Sequence, residues 1–382
     1  MKFCSQCLLP ETKPDLDFDG LGICSACSVY KERESIDWDS RYRDLKQLTQ
    51  RYKSKATGNW DCIVPVSGGK DSTYQVVEVL KLGLKPLCVN SRTCDLTPIG
   101  RRNLDNIGRL GVDIVEFAPN PLLRAQLNRL GLEQVGDISW PEHVGIFTIP
   151  VQAAIKFWVS LIIWGENSQN EYGGPATASE SPFLTRRWLE EFGGLLGLRV
   201  SDLSGLVGLT EADLKMYTYP SDDELEKVAV TGLFLGHYIP WDGYENALIA
   251  GANGFEFFPR TVEGSLVNYE NVDNFQTGIH DYFKYLKFGF GRATDIASSH
   301  IRRGRISRID AQNLVLKLEG KFPHVYLGKP LAQILEPLGI TVAEFTDICD
   351  EFTNIALFEV DSSGNLLKSK DGSLTPKFTV GG

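Results

Sequence analysis

Apolar and polar positions change period along the chain, and the first regular block predicts a parallel sheet. The runs Trp60–Val66, Lys85–Asn90 and Val112–Pro119 are short, apolar and bounded by turn residues, so each predicts a strand. Between them, Asp71–Leu82 and Ile99–Gly111 carry apolar residues at helical spacing. Strands and helices alternating in this way specify an α/β fold, a parallel sheet covered by helices. The sheet is expected to continue past a helix beginning at Val151–Ala154 into a strand at Ser160–Trp164, and later into a strand at 233–241. Helical pieces at 186–198 and 210–217, and a capped helix start at Ser221–Glu224, predict a helical insertion at about 181–230.

Four segments follow from this pattern: a short cysteine-dense, turn-rich piece (1–30), an amphipathic connecting helix (31–55), the α/β domain (56–275) and a helical, locally basic region (276–382). The connecting helix shows Trp38, Tyr42, Leu45 and Leu48 on one face. The last region ends in a β-hairpin-rich tail with turns at Ser363-Gly364-Asn365 and Asp371-Gly372.

Composition narrows the class. With 382 residues, 42% of them hydrophobic, the chain buries a large core, which excludes intrinsic disorder. A net charge of -10 disfavours a protein built to grip nucleic acid, which needs a cationic surface. The most apolar run, Phe157–Trp164, is broken by Ser160 and is far shorter than a membrane span. The start of the chain does not read as a signal peptide, and four of the eight cysteines fall in two CxxC pairs, so a reduced, cytoplasmic setting is expected.

Two motifs carry chemistry. Cys4-x2-Cys7 and Cys24-x2-Cys27 place two thiolate knuckles 16 residues apart, the pattern of a closed, structural Zn²⁺ site, with a [4Fe–4S] cluster as the alternative. The hexapeptide Ser67-Gly68-Gly69-Lys70-Asp71-Ser72 follows a predicted strand and opens a predicted helix. Glycines there turn the backbone so that its N–H groups and the helix N-terminus face an anion. Ser67 and Ser72 add hydroxyls, Lys70 a cation and Asp71 a candidate Mg²⁺ contact. The spacing is not that of a Walker A loop.

SGGKDS resembles the pyrophosphate loop of the N-type ATP pyrophosphatases, the superfamily of GMP synthetase, asparagine synthetase and the tRNA thiolases. The resemblance implies cleavage of ATP to AMP and pyrophosphate, with Ser67, Gly69, Asp71 and Ser72 around pyrophosphate and metal. It also puts Cys88-Val89-Asn90 beside adenine and ribose, and Gly165-Glu166-Asn167 at the same crevice. Residue 2 is Lys rather than a glutaminase cysteine, so glutamine-derived ammonia requires a second protein. Cys88 and Cys94 are the nearby thiols that a tRNA thiolase chemistry would need.

Over most of its length the chain resembles the N-acetyl sugar amidotransferases of bacterial surface-polysaccharide pathways. The segments that carry this are MKFCSQCLLPETKP, SGGKDS, IIWGENSQNEYGG, HYIPWDGYENA and DYFKYLKFGFGRATDIASSHIRRGRISR. The resemblance implies conversion of an acetamido group on a sugar, nucleotide-linked or free, to an acetamidino group, with ATP, Mg²⁺ and structural Zn²⁺ as cofactors. Ammonia would come from a glutaminase resembling that of imidazole-glycerol-phosphate synthase, with or without its barrel partner. Trp241, Asp242, Lys287, Arg292, Arg302 and Arg303 are the expected sugar-binding residues, Arg302 and Arg305 lying on one helical face. The same basic stretch reads equally as a solvated face or a docking surface for the glutaminase. A tRNA-modifying enzyme of thiolase or lysidine-synthase type is the alternative function.

Overall fold

A computed structural model of the chain describes residues 1–55, 58–166, 182–184 and 195–381. Among the described residues the main sheet runs in the order β3-β2-β1-β4-β6-β5, where β1 is Cys62–Pro65, β2 Pro86–Ser91, β3 Asp113–Phe117, β4 Leu161–Trp164, β5 Phe183–Leu184 and β6 Thr231–Phe234. All pairings are parallel except that of the two-residue edge strand β5 with β6. The expected α/β class is therefore observed. The antiparallel edge was not anticipated, because two residues carry no periodicity.

Strand residues alternate between two cores. Cys62, Val64, Cys88, Leu161, Ile163 and Leu233 pack with Tyr74, Val76, Val79 and Leu104 on one face. Ile63, Leu87, Val89, Ile162, Trp164 and Phe234 pack with Ile149, Val151 and Ala154 on the other. Burial on both sides is why these strands read as continuous apolar runs. Leu45 of the helix Trp38–Lys55 joins the first core, so the connecting helix is part of the α/β body.

The strand expected at 233–241 stops at Phe234, where the chain turns through Leu235–His237. In the insertion, Thr210 and Ser221 form capping boxes with Asp213 and Glu224 and start the helices Glu211–Leu214 and Asp222–Val228. The helical piece expected at 186–198 lies mostly outside the described residues, and Leu195–Leu198 form a turn.

Strand order reverses between β1 and β4, so a crevice opens beyond their carboxyl ends. Ser67 follows β1 and Gly165 follows β4, which brings two of the sequence motifs to this crevice. The C-terminal region packs around Phe283, Phe345 and Phe358 in a core that also takes in Ile99, Leu132 and Ala247 of the α/β domain. Its tail carries the bridges Phe358↔Pro376, Val360↔Leu366 and Lys368↔Leu374. The cysteine-rich segment docks on this region: Arg308 donates to the carbonyls of Cys7 (3.0 Å) and Cys4 (3.2 Å), and Phe290 packs among the cysteines. No helix among the described residues is long and apolar enough to cross a membrane.

Candidate active site

The loop after β1 is built by its own side chains. The Ser72 hydroxyl accepts from the backbone N–H of Gly68 at 3.2 Å, and Ser67 Oγ accepts from Gly69 N at 3.1 Å. Gly68 has φ +87°, and a Cβ there would sit 2.7 Å from the Leu104 backbone nitrogen, so only glycine fits. Gly69 caps the helix Lys70–Lys81 without a side-chain acceptor. The first turn of that helix thus presents N–H groups with no intrahelical partner, together with the positive end of its dipole.

Lys70 is buried, and its ammonium pairs with Asp71 and, at 2.8 Å, with Glu270. Burial would lower the Lys70 pKa, but these two carboxylates outweigh it and hold the ammonium above its ordinary value. Asn246 donates to the other Asp71 oxygen at 2.8 Å. Lys70, Asp71, Glu166, Glu270 and Asp295 line one narrow cleft. Glu270 had no sequence signal, and Asn246, although within the segment HYIPWDGYENA, was not singled out; each is a polar residue whose meaning comes from the loop it reaches.

Beyond the strand ends lies a cavity of about 290 Å³, bounded by Ser67, Asp71 and Ser72 on one side and Val89, Phe147, Trp164, Gly165 and Phe234 on another. Phosphate-directed groups adjoin a largely apolar chamber, as a nucleotide site requires. Glu142, ion-paired with the buried Arg124 at 3.2 Å, forms part of its wall. Asn90 is not on the wall: its Nδ2 donates to Val66 O at 2.7 Å and pins the strand end, while Val89 and Ser91 face the cavity. Gly165 and Glu166 reach the cavity, and Asn167 lies outside the described residues. Burial pushes the Cys88 and Cys94 thiols up to about 12, which disfavours them as the nucleophiles a thiolase would need.

The expected sugar contacts divide. Trp241 is 3% exposed and packs edge-on to Tyr74 and against Gly165, so it belongs to the core and offers no stacking face. Asp242 accepts from Tyr244 N as a helix cap and pairs with Arg303 (2.8 Å) and Arg305 (2.6 Å). Arg303 is correspondingly consumed by this pair and by the Trp241 carbonyl at 3.1 Å. The helix Arg292–Arg302 ends before Arg305, so Arg302 and Arg305 share no helical face. Contacts with Cys24 and Cys27 lower the Cys7 thiol to about 7, and the Arg302 charge is a smaller cause. Lys287 and Arg292 do reach open space, a cavity of about 360 Å³ that they share with His143 and His280.

Cys4, Cys7, Cys24 and Cys27 are buried, unbridged by disulfides, and converge within 4.8 Å of one another. The Cys4–Cys27 and Cys7–Cys24 sulfur separations are 3.8 and 3.7 Å. Four ligands at about 2.3 Å from a tetrahedral Zn²⁺ stand roughly 3.8 Å apart, so the donor set fits that ion. Backbone N–H groups of Gln6, Cys7 and Cys24 point at the Cys4 sulfur, as thiolate ligands require.

Comparison with known families bears on the C-terminal region. Residues 263–370 match the family model described as "LPS biosynthesis protein WbpG-like, C-terminal domain". This region is WbpG-like. The WbpG-like region contributes Glu270, His280, Lys287, Arg292 and Asp295 to the cavities described above. No curated protein matches the sequence. Among solved structures, NMN synthetase from Francisella tularensis matches at 15% identity over 51% of this chain and 92% of its own, with a TM-score of 0.29; the fold rests on the topology above and not on this likeness.

Proposed function

We propose that the protein is an ATP-dependent amidotransferase of bacterial surface-polysaccharide synthesis, converting an acetamido group on a sugar to an acetamidino group. The observation that carries this reading is the Ser67–Ser72 loop at the strand-order reversal, faced across one cleft by carboxylates of the WbpG-like region. An amide carbon is a poor electrophile and its oxygen a poor leaving group; adenylation repairs both. The carbonyl oxygen attacks the α-phosphorus of ATP, pyrophosphate departs, ammonia adds to the imidate carbon, and AMP leaves.

In this reading the N–H groups of the first helical turn, Ser67 and Ser72 hold the departing pyrophosphate, and Lys70 stabilises its charge. Asp71 would hold Mg²⁺, with Glu270 and Glu166 facing the same cleft; when bound, the ion neutralises phosphate charge. The sugar would occupy the cavity of about 360 Å³ beside Lys287 and Arg292. The four cysteines would hold a structural Zn²⁺ that ties the N-terminal segment to the WbpG-like region. Ammonia would be supplied by a separate glutaminase, and the setting would be cytoplasmic.

The test is to incubate the protein with ATP, Mg²⁺, ammonium and a panel of acetamido sugars. AMP and a product lighter by the mass difference between O and NH are expected. Sugar-independent AMP release, or tRNA-stimulated release with steep salt dependence, would overturn the reading in favour of a tRNA-modifying enzyme.

A further inference from the structure

A buried carboxylate holds two imidazoles at the wall of the Lys287–Arg292 cavity. Asp137 lies in the turn between the helices Pro121–Val135 and Trp140–Lys156 and is almost fully buried. Its Oδ1 accepts from Ser139 N at 2.9 Å and lies 2.7 Å from His280 Nδ1, while Oδ2 lies 3.3 Å from His143 Nδ1. The two rings stand edge to face with centroids 5.3 Å apart, each about a quarter exposed toward the cavity. His143 comes from the α/β domain and His280 from the WbpG-like region, so the cluster forms only where the two meet.

We propose that His280, oriented by Asp137, is the general base that deprotonates the attacking nitrogen; this rests on the amidotransferase reading above. A carboxylate accepting from Nδ1–H fixes the tautomer and leaves the Nε2 lone pair for the cavity. Burial alone would raise the Asp137 pKa, but His280 and His143 hold it well below the carboxylate range, so it stays an acceptor. Asp295, whose Oδ1 is buried without a hydrogen-bond partner, lines both this cavity and the cleft of Lys70 and Asp71. Glu142, the residue before His143, is in the nucleotide wall.

The other charged groups at the cavity are Lys13 and Asp15 from the N-terminal segment, and Lys284, Lys287, Arg292 and Asp295 from the WbpG-like region. Lys284 is paired with Asp295 and Arg292 with Asp281. The step balances. The ammonia lone pair forms the C–N bond at the imidate carbon, the adduct's ammonium gives one proton to His280 Nε2, and the C–O electron pair leaves with AMP.

Sugar-dependent ATP–pyrophosphate exchange reads adenylation, and amidine formation from ammonium chloride reads the nitrogen step. His280→Gln should keep the exchange and lose amidine formation by about 100-fold. Asp137→Asn, a positioning variant, should show the same split. Unchanged amidine formation in His280→Gln, or an equal fall in both activities, overturns the proposal. Absence of exchange in the wild-type protein would sink the amidotransferase reading itself. The imidazole ¹⁵N spectrum of the full chain separates the two failures, because it reads the His280 tautomer without substrate. Nδ1–H is expected there; Nε2–H, or stoichiometric Co²⁺ binding lost in His280→Gln, overturns the base.

Discussion

Asp242 distinguishes a structural tie from a sugar contact. Its burial would raise the carboxyl pKa, but the bonds from Arg305 and the charge of Arg303 lower it from 3.8 to about 2. At roughly 1.4 kcal/mol per unit this corresponds to about 2 kcal/mol of stability. Asp242→Asn keeps the shape and removes the charge, so a loss of about 2 kcal/mol is expected at pH 7; Asp242→Ala loses about 1 kcal/mol more with the helix cap. The folded-state pKa is depressed, so the stabilisation is present above pH 3.8 and lost as pH falls through about 2. The wild-type advantage over Asp242→Asn in urea unfolding should therefore narrow to about half by pH 3. The sugar KM should not change. An unchanged urea midpoint combined with a raised sugar KM would refute the reasoning and return Asp242 and Arg303 to the substrate site.

Three further outcomes are expected. Lys70→Ala should lower ATP–pyrophosphate exchange by about 100-fold or more, since it removes the cation aimed at pyrophosphate and leaves Asp71 and Glu270 to repel each other; retained exchange would count against the loop's role. Cys24→Ser should abolish bound zinc by elemental analysis and expose the N-terminal segment to limited proteolysis, because a shared ion would tie Cys24 to the Cys4–Cys7 knuckle that Arg308 holds. Burial raises Glu319 to about 7 although Gly291, Thr294 N and Thr294 Oγ1 donate to it. Its contribution is full below the ordinary value of 4.5 and is lost as pH rises through about 7, so Glu319→Gln should flatten the stability profile across that window.

What the sequence revealed follows from how local each feature is. The strand–loop–helix around SGGKDS and the two CxxC knuckles are contiguous, and their side chains bond within a few residues of themselves: Ser67 to Gly69, Ser72 to Gly68, the Cys4 sulfur to Gln6 and Cys7. The apolar runs of β1, β2 and β4 are equally local, because burial on both faces writes itself into each run. Features that depend on a partner far along the chain were invisible or misread. Asp137 meets His280 across 143 residues, and Asn246 meets Asp71 across 175.

The basic run from Arg292 to Arg308 shows why charge along a sequence is a poor guide to a ligand site. An arginine that binds an external anion and one that ties two segments together have the same sequence signature; only the partner differs. Here Arg303 and Arg305 meet Asp242, Arg308 meets the carbonyls of the cysteine knuckle, and Arg292 meets Asp281 at 3.0 Å. Most of the run is thus a clamp that fixes the WbpG-like region to both the cysteine-rich segment and the helix after Trp241. Its functional consequence is indirect. That clamp sets the helix Arg292–Arg302, and with it Asp295, against the cleft of Lys70 and Asp71. Of the cations expected to bind sugar, Lys287 and Arg292 line the cavity of about 360 Å³, where folding brings them to the same wall as His280.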